Sequence, residues 1–202
     1  MPAKKSFPTA VTPKFRAIGA YVFEPAPPMQ NRGKDEADKT PQYSLGMIFD
    51  PKDPVVKEEL QKMIRMARDL AQEEWADINP KAIRLPFRNG NTDEDLLGSQ
   101  NAELFAGKYF ARAKSKNQPQ VVGRDRKPLM NPDSFYSGCY AIASVAMYTY
   151  EYMSKKGVSL LLNNVMKVGD GERLTRRRSA QEDFADVDVG AGGDDDSEDD
   201  LI

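Results

Sequence analysis

The fold class that the sequence predicts is a β-rich α+β domain with one long helix and large loops, and three observations predict it. Runs at residues 14–23, 42–50, 105–115, 118–125 and 136–153 are rich in β-branched and aromatic side chains without helical spacing. Only residues 54–75 repeat apolar side chains at three and four positions. Two long stretches, 24–41 and 81–103, are irregular; the first carries too much proline and charge to be helix or strand.

The elements follow in chain order. Residues 1–13 are basic, punctuated by proline and expected to be a flexible N-terminus. Strands at 14–23 and 42–50 form a hairpin whose connection, 24–41, is unusually long, and long loops in compact domains often carry function. Asp53 caps the helix and Pro54 takes its first position, where no amide donor is needed. Val56, Leu60, Met63, Ile64, Ala67, Leu70, Ala71 and Trp75 make one apolar face that covers a side of the sheet, and the helix should stop near Asn79-Pro80. Residues 81–103 carry bases and an aromatic before their turn and acids after it. The strand at 136–153 is long enough to bend or to serve two sheets. Residues 156–174 supply a last strand or short helix and a Gly-Asp-Gly turn.

A chain of 202 residues suits one domain of about 150–180 residues, taken as 14–175, with a disordered tail at 176–202. The longest nearly apolar stretch, 139–148, is too short to span a bilayer and the N-terminus lacks a signal-peptide core, so a cytoplasmic location without membrane contact is expected. Cys139 has no possible disulfide partner in the chain and reads as a small buried thiol. The absence of histidine removes Ser/His and Cys/His nucleophiles and His-containing zinc sites. No cofactor is expected.

Charge divides the chain. Residues 182–202 hold ten of the 31 acids and none of the 29 bases, which leaves 29 bases against 21 acids in the body. A body of +8 and a tail of −10 point to a polyanion-binding body or an interaction tail.

Strand alternation places Lys108, Phe110, Arg112 and Lys114 on one face, with Tyr109, Ala111 and Ala113 opposite. It likewise aligns Tyr140, Tyr148, Tyr150 and Tyr152 if no bulge intervenes, and puts Cys139, Ala141, Ala143, Val145 and Met147 behind them. Further bases cluster in loops: Lys81, Arg84 and Arg88 around Phe87, and Lys116, Arg124, Arg126 and Lys127 farther on. Aromatics interleaved with cations on a sheet suit a single-stranded nucleic acid, whose bases stack and whose phosphates need positive charge. The stacking candidates are Phe110, Tyr140, Tyr148 and Tyr150, with Phe87 behind them; the phosphate candidates are Lys108, Arg112, Lys114, Lys116, Arg124 and Arg126. The plainer alternative is half-buried tyrosines and lysines that solvate strand edges.

Two other functions compete. A metal-dependent nuclease could use Asp93, Glu94, Asp95 or Asp133, although no calcium-loop or phosphate-loop spacing is present. An interaction protein could act through a tail that mimics DNA: Asp194, Asp195, Asp196, Glu198, Asp199, Asp200, Leu201 and Ile202. The same tail beside a cationic groove could occupy it until nucleic acid displaces it, and then be read by partner proteins.

Residues 135–174, and within them "SGCYAIASV" and "GVSLLLNNVMKVGDGE", resemble the C-terminal part of a family of tailed-bacteriophage single-stranded DNA-binding proteins. The resemblance extends over about residues 14–174, and Asn163-Asn164 followed by Asp170-Gly171-Glu172 is its most specific part. It implies an elaborated OB fold, a five-stranded Greek-key barrel. It also implies a non-catalytic role in replication or recombination, with single-stranded DNA and replication or recombination proteins as partners. The acidic end is similar to tails that recruit replication proteins; those commonly finish on an aromatic residue, whereas this one finishes on Leu201-Ile202. Stacking and phosphate contacts alone do not separate DNA from RNA.

Overall fold

The computed structural model describes residues 7–27 and 41–174 and is a sheet-rich α+β architecture with few helices. Among these residues run β1 (Thr9–Val11), β2 (Phe15–Ala26), β3 (Gln42–Phe49), β4 (Arg88–Asn89), β5 (Tyr109–Ser115), β6 (Gln120–Val122), β7 (Tyr140–Tyr152) and β8 (Lys155–Gly169). Helix α1 (Pro54–Glu74) follows β3, and the one-turn helices α2 (Glu94–Leu97) and α3 (Ala102–Phe105) precede β5. The expected tail, from Asp194 to Ile202 included, lies outside the described residues, as does the middle of the β2–β3 connection.

The strands pair in the order β1-β7-β2-β3-β5-β8-β6, with β4 on β5 and an additional β7–β8 pairing. Five of them, β2, β3, β5, β8 and β7, therefore form a closed cycle, parallel only between β5 and β8. Alternate residues of each face inward. Phe15, Ala17, Leu45, Met47, Phe49, Ala111, Ala113, Ala141, Ala143, Val145, Met147, Val158, Leu160 and Leu162 are each at most 3% exposed and belong to one core. Each of the larger ones contributes about 1.5–3 kcal/mol by leaving water. Between Ile18 and Tyr21 β2 spends one residue more than β3, and the bulge contains Gly19 at φ 55°, where a side chain would cost about 1–2 kcal/mol. The Gly19 amide donates to Ser137 Oγ at 3.0 Å.

Helix α1 starts where the sequence predicts. Asp53 Oδ1 accepts from the Val55 and Val56 amides at 3.0 and 3.4 Å, and Val56, Leu60, Met63, Ala67 and Ala71 are buried against the core. It ends at Glu74, ahead of the expected Asn79-Pro80. Trp75 leaves helical dihedrals (φ −135°, ψ 65°) and packs on the core, with the Lys156 ammonium 5.6 Å from its ring. Pro80 instead opens a short 3-10 turn, Pro80–Ala82, capped by Asn79.

Two local expectations change and one open alternative resolves. The N-terminal stretch expected to be loose contains β1, paired with β7, and Thr12 continues the contact by donating its amide to Ala143 O at 2.8 Å and accepting the Ala143 amide on Oγ1 at 3.0 Å. Phe105 belongs to α3 and the following strand starts at Tyr109, because Gly107 at φ 70° turns the chain between them. The final segment resolves as strand, paired along its length with β7. Cys139 is buried and free, as expected, and burial pushes its thiol pKa up.

Candidate nucleic-acid interface

A groove of about 1330 Å³ opens between β5, the segment before β4 and the β7–β8 hairpin. Its far wall is pinned by main chain. The Arg84 amide donates to Lys156 O at 3.0 Å and Arg84 O accepts from the Val158 amide at 2.9 Å, a parallel bridge to β8 at Gly157. That bridge holds exposed Arg84 and Lys81 in the same groove as Arg112 and Lys114, the two exposed cations of β5. Tyr150 enters from β7, directly across from Gly157. A Cβ on Gly157 would lie 2.7 Å from the tyrosine's Cζ and Oη and 2.8 Å from Arg84 O, so the ring rests where only glycine leaves room.

Charges in the groove do different work. Arg88 is held by a two-point contact with Asp93, whose Oδ2 accepts from Nε at 2.6 Å, and by Asp95 at 2.9 Å. Asp93 also caps α2, accepting the Leu96 amide at 3.2 Å. The Arg88 hydrogen bond holds the Asp93 carboxyl below its ordinary range, and Asp93 in turn raises Arg88. This pair fixes the α2–α3 turn rather than offering charge to a ligand. The Arg112 guanidinium lies 5.8 Å from the Phe110 ring centre. Lys81, Arg84 and Lys114 have no ion pair with any described residue, so positive charge is in excess here.

The structure gathers Phe87, Phe110, Arg112, Lys114 and Tyr150 into the groove. Phe110 is 6% exposed, covered by Leu96 and Phe105 of the α2–α3 turn, with Phe105 edge-on at 5.3 Å; Phe87 is 8% exposed and edge-on to Phe49 at 6.2 Å. Both rings form floor, with only their margins in the groove. Lys108 and Tyr140 lie in a second cleft with Lys14, Arg16 and Lys52. Tyr148 packs against Phe7 at 5.9 Å. Lys116 follows β5 and Arg124 and Arg126 sit in the turn after β6, all three exposed and outside the groove.

The tyrosines keep their common parity, since the two register shifts place their extra residues, Asn163 and Val168, on β8 and not on β7. They nonetheless separate, because eight residues of strand span roughly 26 Å. Over that length β7 borders β2 at Tyr140 and β1 near Val145. Arg68, Lys81 and Arg84 are exposed groove cations absent from the phosphate candidates; the place of Arg84 depends on the main-chain bridge to β8, for which the local sequence carries no signal. The motif residues act structurally: Asn164 Oδ1 accepts from the Gln120 amide at 3.3 Å, and Asp170 pairs with Lys167 at 2.6 Å and accepts from the Tyr136 hydroxyl at 3.0 Å.

Of the acids of the nuclease alternative, three are occupied or apart and Glu94 is exposed in α2. Asp93 and Asp95 bind Arg88, and Asp133 lies in a separate 3-10 turn, Pro132–Ser134. Among the described residues no group of three or more Asp, Glu, Cys or His side chains is placed to hold a metal, and no helix is long and apolar enough to cross a membrane.

Solved structures of two phage proteins share the fold. The single-stranded DNA-binding protein from bacteriophage Enc34, in complex with ssDNA, aligns with a TM-score of 0.60 at 17% identity over 83% of this chain and 89% of that one. Gp2.5, a single-stranded DNA-binding protein encoded by bacteriophage T7, aligns with a TM-score of 0.55 at 18% identity, over 93% and 98%. A putative protein p50 of Acyrthosiphon pisum secondary endosymbiont phage 1 is 36% identical over 91 residues, 44% of this chain, and the match spans about half that relative's length. None of these is described as an enzyme. Because the model of the family described as Enterobacter phage Enc34, ssDNA-binding protein, matches residues 9–202, the chain belongs to that family of phage ssDNA-binding proteins.

Proposed function

We propose that the groove between β5, the Arg84 segment and the β7–β8 hairpin binds single-stranded DNA without sequence preference and without catalysis. The observation that carries the reading is the convergence of Lys81, Arg84, Arg112 and Lys114 around Tyr150, from three separate parts of the chain. Tyr150 stacks a base, a contact typically worth about 1–3 kcal/mol, while the cations meet phosphates. The margins of Phe110 and Phe87 line the floor beneath the bases. The exposed Lys116, Arg124 and Arg126 extend the field that attracts the strand.

The five-strand cycle is read as an OB barrel in which β2, β3, β5, β7 and β8 are strands one, two, three, four and five. An OB domain takes oligonucleotide on its second and third strands and its first and fourth connections. Here those are β3, β5, the long β2–β3 connection and the β7–β8 turn, and the groove adjoins β5 and the strands that lead into and out of that turn.

The biological setting is phage DNA replication or recombination, with the strand coated and handed on in the host cytoplasm. Ten acids and no base in residues 182–202 support a tail that competes for the groove and, once displaced, recruits replication or recombination proteins. A tethered competitor acts at millimolar effective concentration.

The test is fluorescence anisotropy of a labelled dT oligomer and a matching duplex across a salt series, with the full chain and a chain stopped after Ala180. Expected are preference for the single strand, a slope near −0.7 per phosphate neutralised, and tighter binding without the tail. Equal affinity for duplex and single strand, or insensitivity to salt, contradicts the reading. An rU oligomer of the same length separates DNA from RNA.

A further inference from the structure

The second cleft, about 280 Å³, is lined by Lys14, Arg16, Lys52, Lys108 and Tyr140, with Asp50 and Asp53 at its rim. The α2–α3 turn borders both it and the groove. Leu104 and Phe105 are neighbours in α3, yet Leu104 lines the second cleft and Phe105 the groove. Beneath this partition Ile48, Leu96, Phe105 and Phe110 form a buried cluster apart from the main core.

The cleft has the same two components as the groove. Four cations face two carboxylates, and Asp53 already pairs with Lys14 at 3.5 Å and caps α1. The Arg16 guanidinium donates to the carbonyls of Glu172 at 2.9 Å and Gly138 at 3.4 Å, and the Lys108 ammonium donates to Leu104 O at 3.3 Å. Carbonyl partners orient these groups without cancelling their charge. Tyr140 is 37% exposed and backed by Gly171, where a Cβ would meet its ring at 3.1 Å. The partition itself exposes Glu94 and Glu103, which repel phosphate, beside Asp95, which is paired with Arg88.

We infer that the Tyr140 cleft is a second subsite for the same single strand, engaged only by strands long enough to cross the α2–α3 turn from the Tyr150 groove. The inference rests on the reading of that groove as the primary site. It makes affinity depend on strand length in a way one groove does not.

The test compares dT oligomers of about 5 and about 15 nucleotides, within the range an OB domain covers, on the full chain. Tyr140→Ala is expected to weaken the long oligomer at least about fivefold, the lower end of a stacking contact, and the short one by less than about twofold. Lys52→Glu, an exposed position that leaves the core intact, is expected to weaken the long oligomer selectively and to make its salt slope shallower by about 0.7. Unchanged Trp75 unfolding and unchanged short-oligomer binding show that each variant is folded. Loss at both lengths alike, or no loss for the long oligomer in either variant, overturns the second subsite while leaving the groove standing. A Tyr150→Ala/Lys114→Ala variant is expected to weaken both lengths; if it weakens neither, the parent reading fails and takes the subsite with it.

Discussion

Replacing Gly157 by alanine perturbs the groove at one atom. The added Cβ would sit 2.7 Å from the end of the Tyr150 ring and 2.8 Å from Arg84 O. The ring can swing aside. Arg84 O cannot move without straining the pair of hydrogen bonds at 2.9 and 3.0 Å that hold its segment on β8, each worth about 0.5–1.5 kcal/mol. Overpacking at a site where one neighbour yields and the other resists costs about 1–3 kcal/mol. Under the proposed function the displaced ring also forfeits its stacking contact, so affinity for a dT oligomer should fall at least about fivefold. Stability is read from urea unfolding by the fluorescence of Trp75, the one tryptophan in the chain, and affinity from anisotropy. Adding Tyr150→Ala to Gly157→Ala should recover part of the lost stability, a coupling seen only if the two side chains collide. Native stability and native affinity in Gly157→Ala would refute the placement of Tyr150 and the Arg84 bridge together.

Other perturbations test separate parts. Met153 and Ser154 both have positive φ, 46° and 63°, in the two-residue β7–β8 turn, so Asn-Gly in their place should raise stability by about 1–2 kcal/mol in the same unfolding assay. Asp93 has its pKa lowered chiefly by Arg88, so its contribution is present above the unfolded carboxyl pKa and lost as pH falls through the lower, folded one; stability should decline as pH falls below the ordinary carboxyl range, and Arg88→Met should remove that part of the slope. Cys139 is buried with a raised thiol pKa, so it should resist a thiol reagent in the native protein and react on unfolding in urea, as followed by reagent absorbance.

Much of the sheet is legible in the sequence because its signals are local. Period-two alternation marks Ala111 and Ala113, and Ala141 through Met147, as inward-facing, and Asp53-Pro54 marks the start of α1 to the residue. Short elements escape: β1 has three residues and exists because β7 offers it a partner, and α2 exists because Asp93 caps it while gripping Arg88. The site is less legible than the fold. Alternation puts Phe110 on the cationic face of β5, which is correct, but nothing local announces that Leu96 and Phe105 will cover it. Parity aligns Tyr140 with Tyr150, yet a strand that pairs with β8 along its length and borders β2 and then β1 on its other edge carries them to different clefts. Arg84 reaches the groove through backbone hydrogen bonds to a strand some seventy residues later, a non-local contact that composition and spacing do not encode.

Photocrosslinking tests the central claim most directly: a bromouracil-substituted dT oligomer is irradiated on the full chain and the modified peptides are sequenced. Adducts at Tyr150 and in the Arg84 segment are expected, abolished by an excess of unlabelled dT oligomer. Adducts confined to residues outside the grooves, such as Tyr43 or the turn holding Arg124 and Arg126, would contradict the assignment of this groove as the path of the strand.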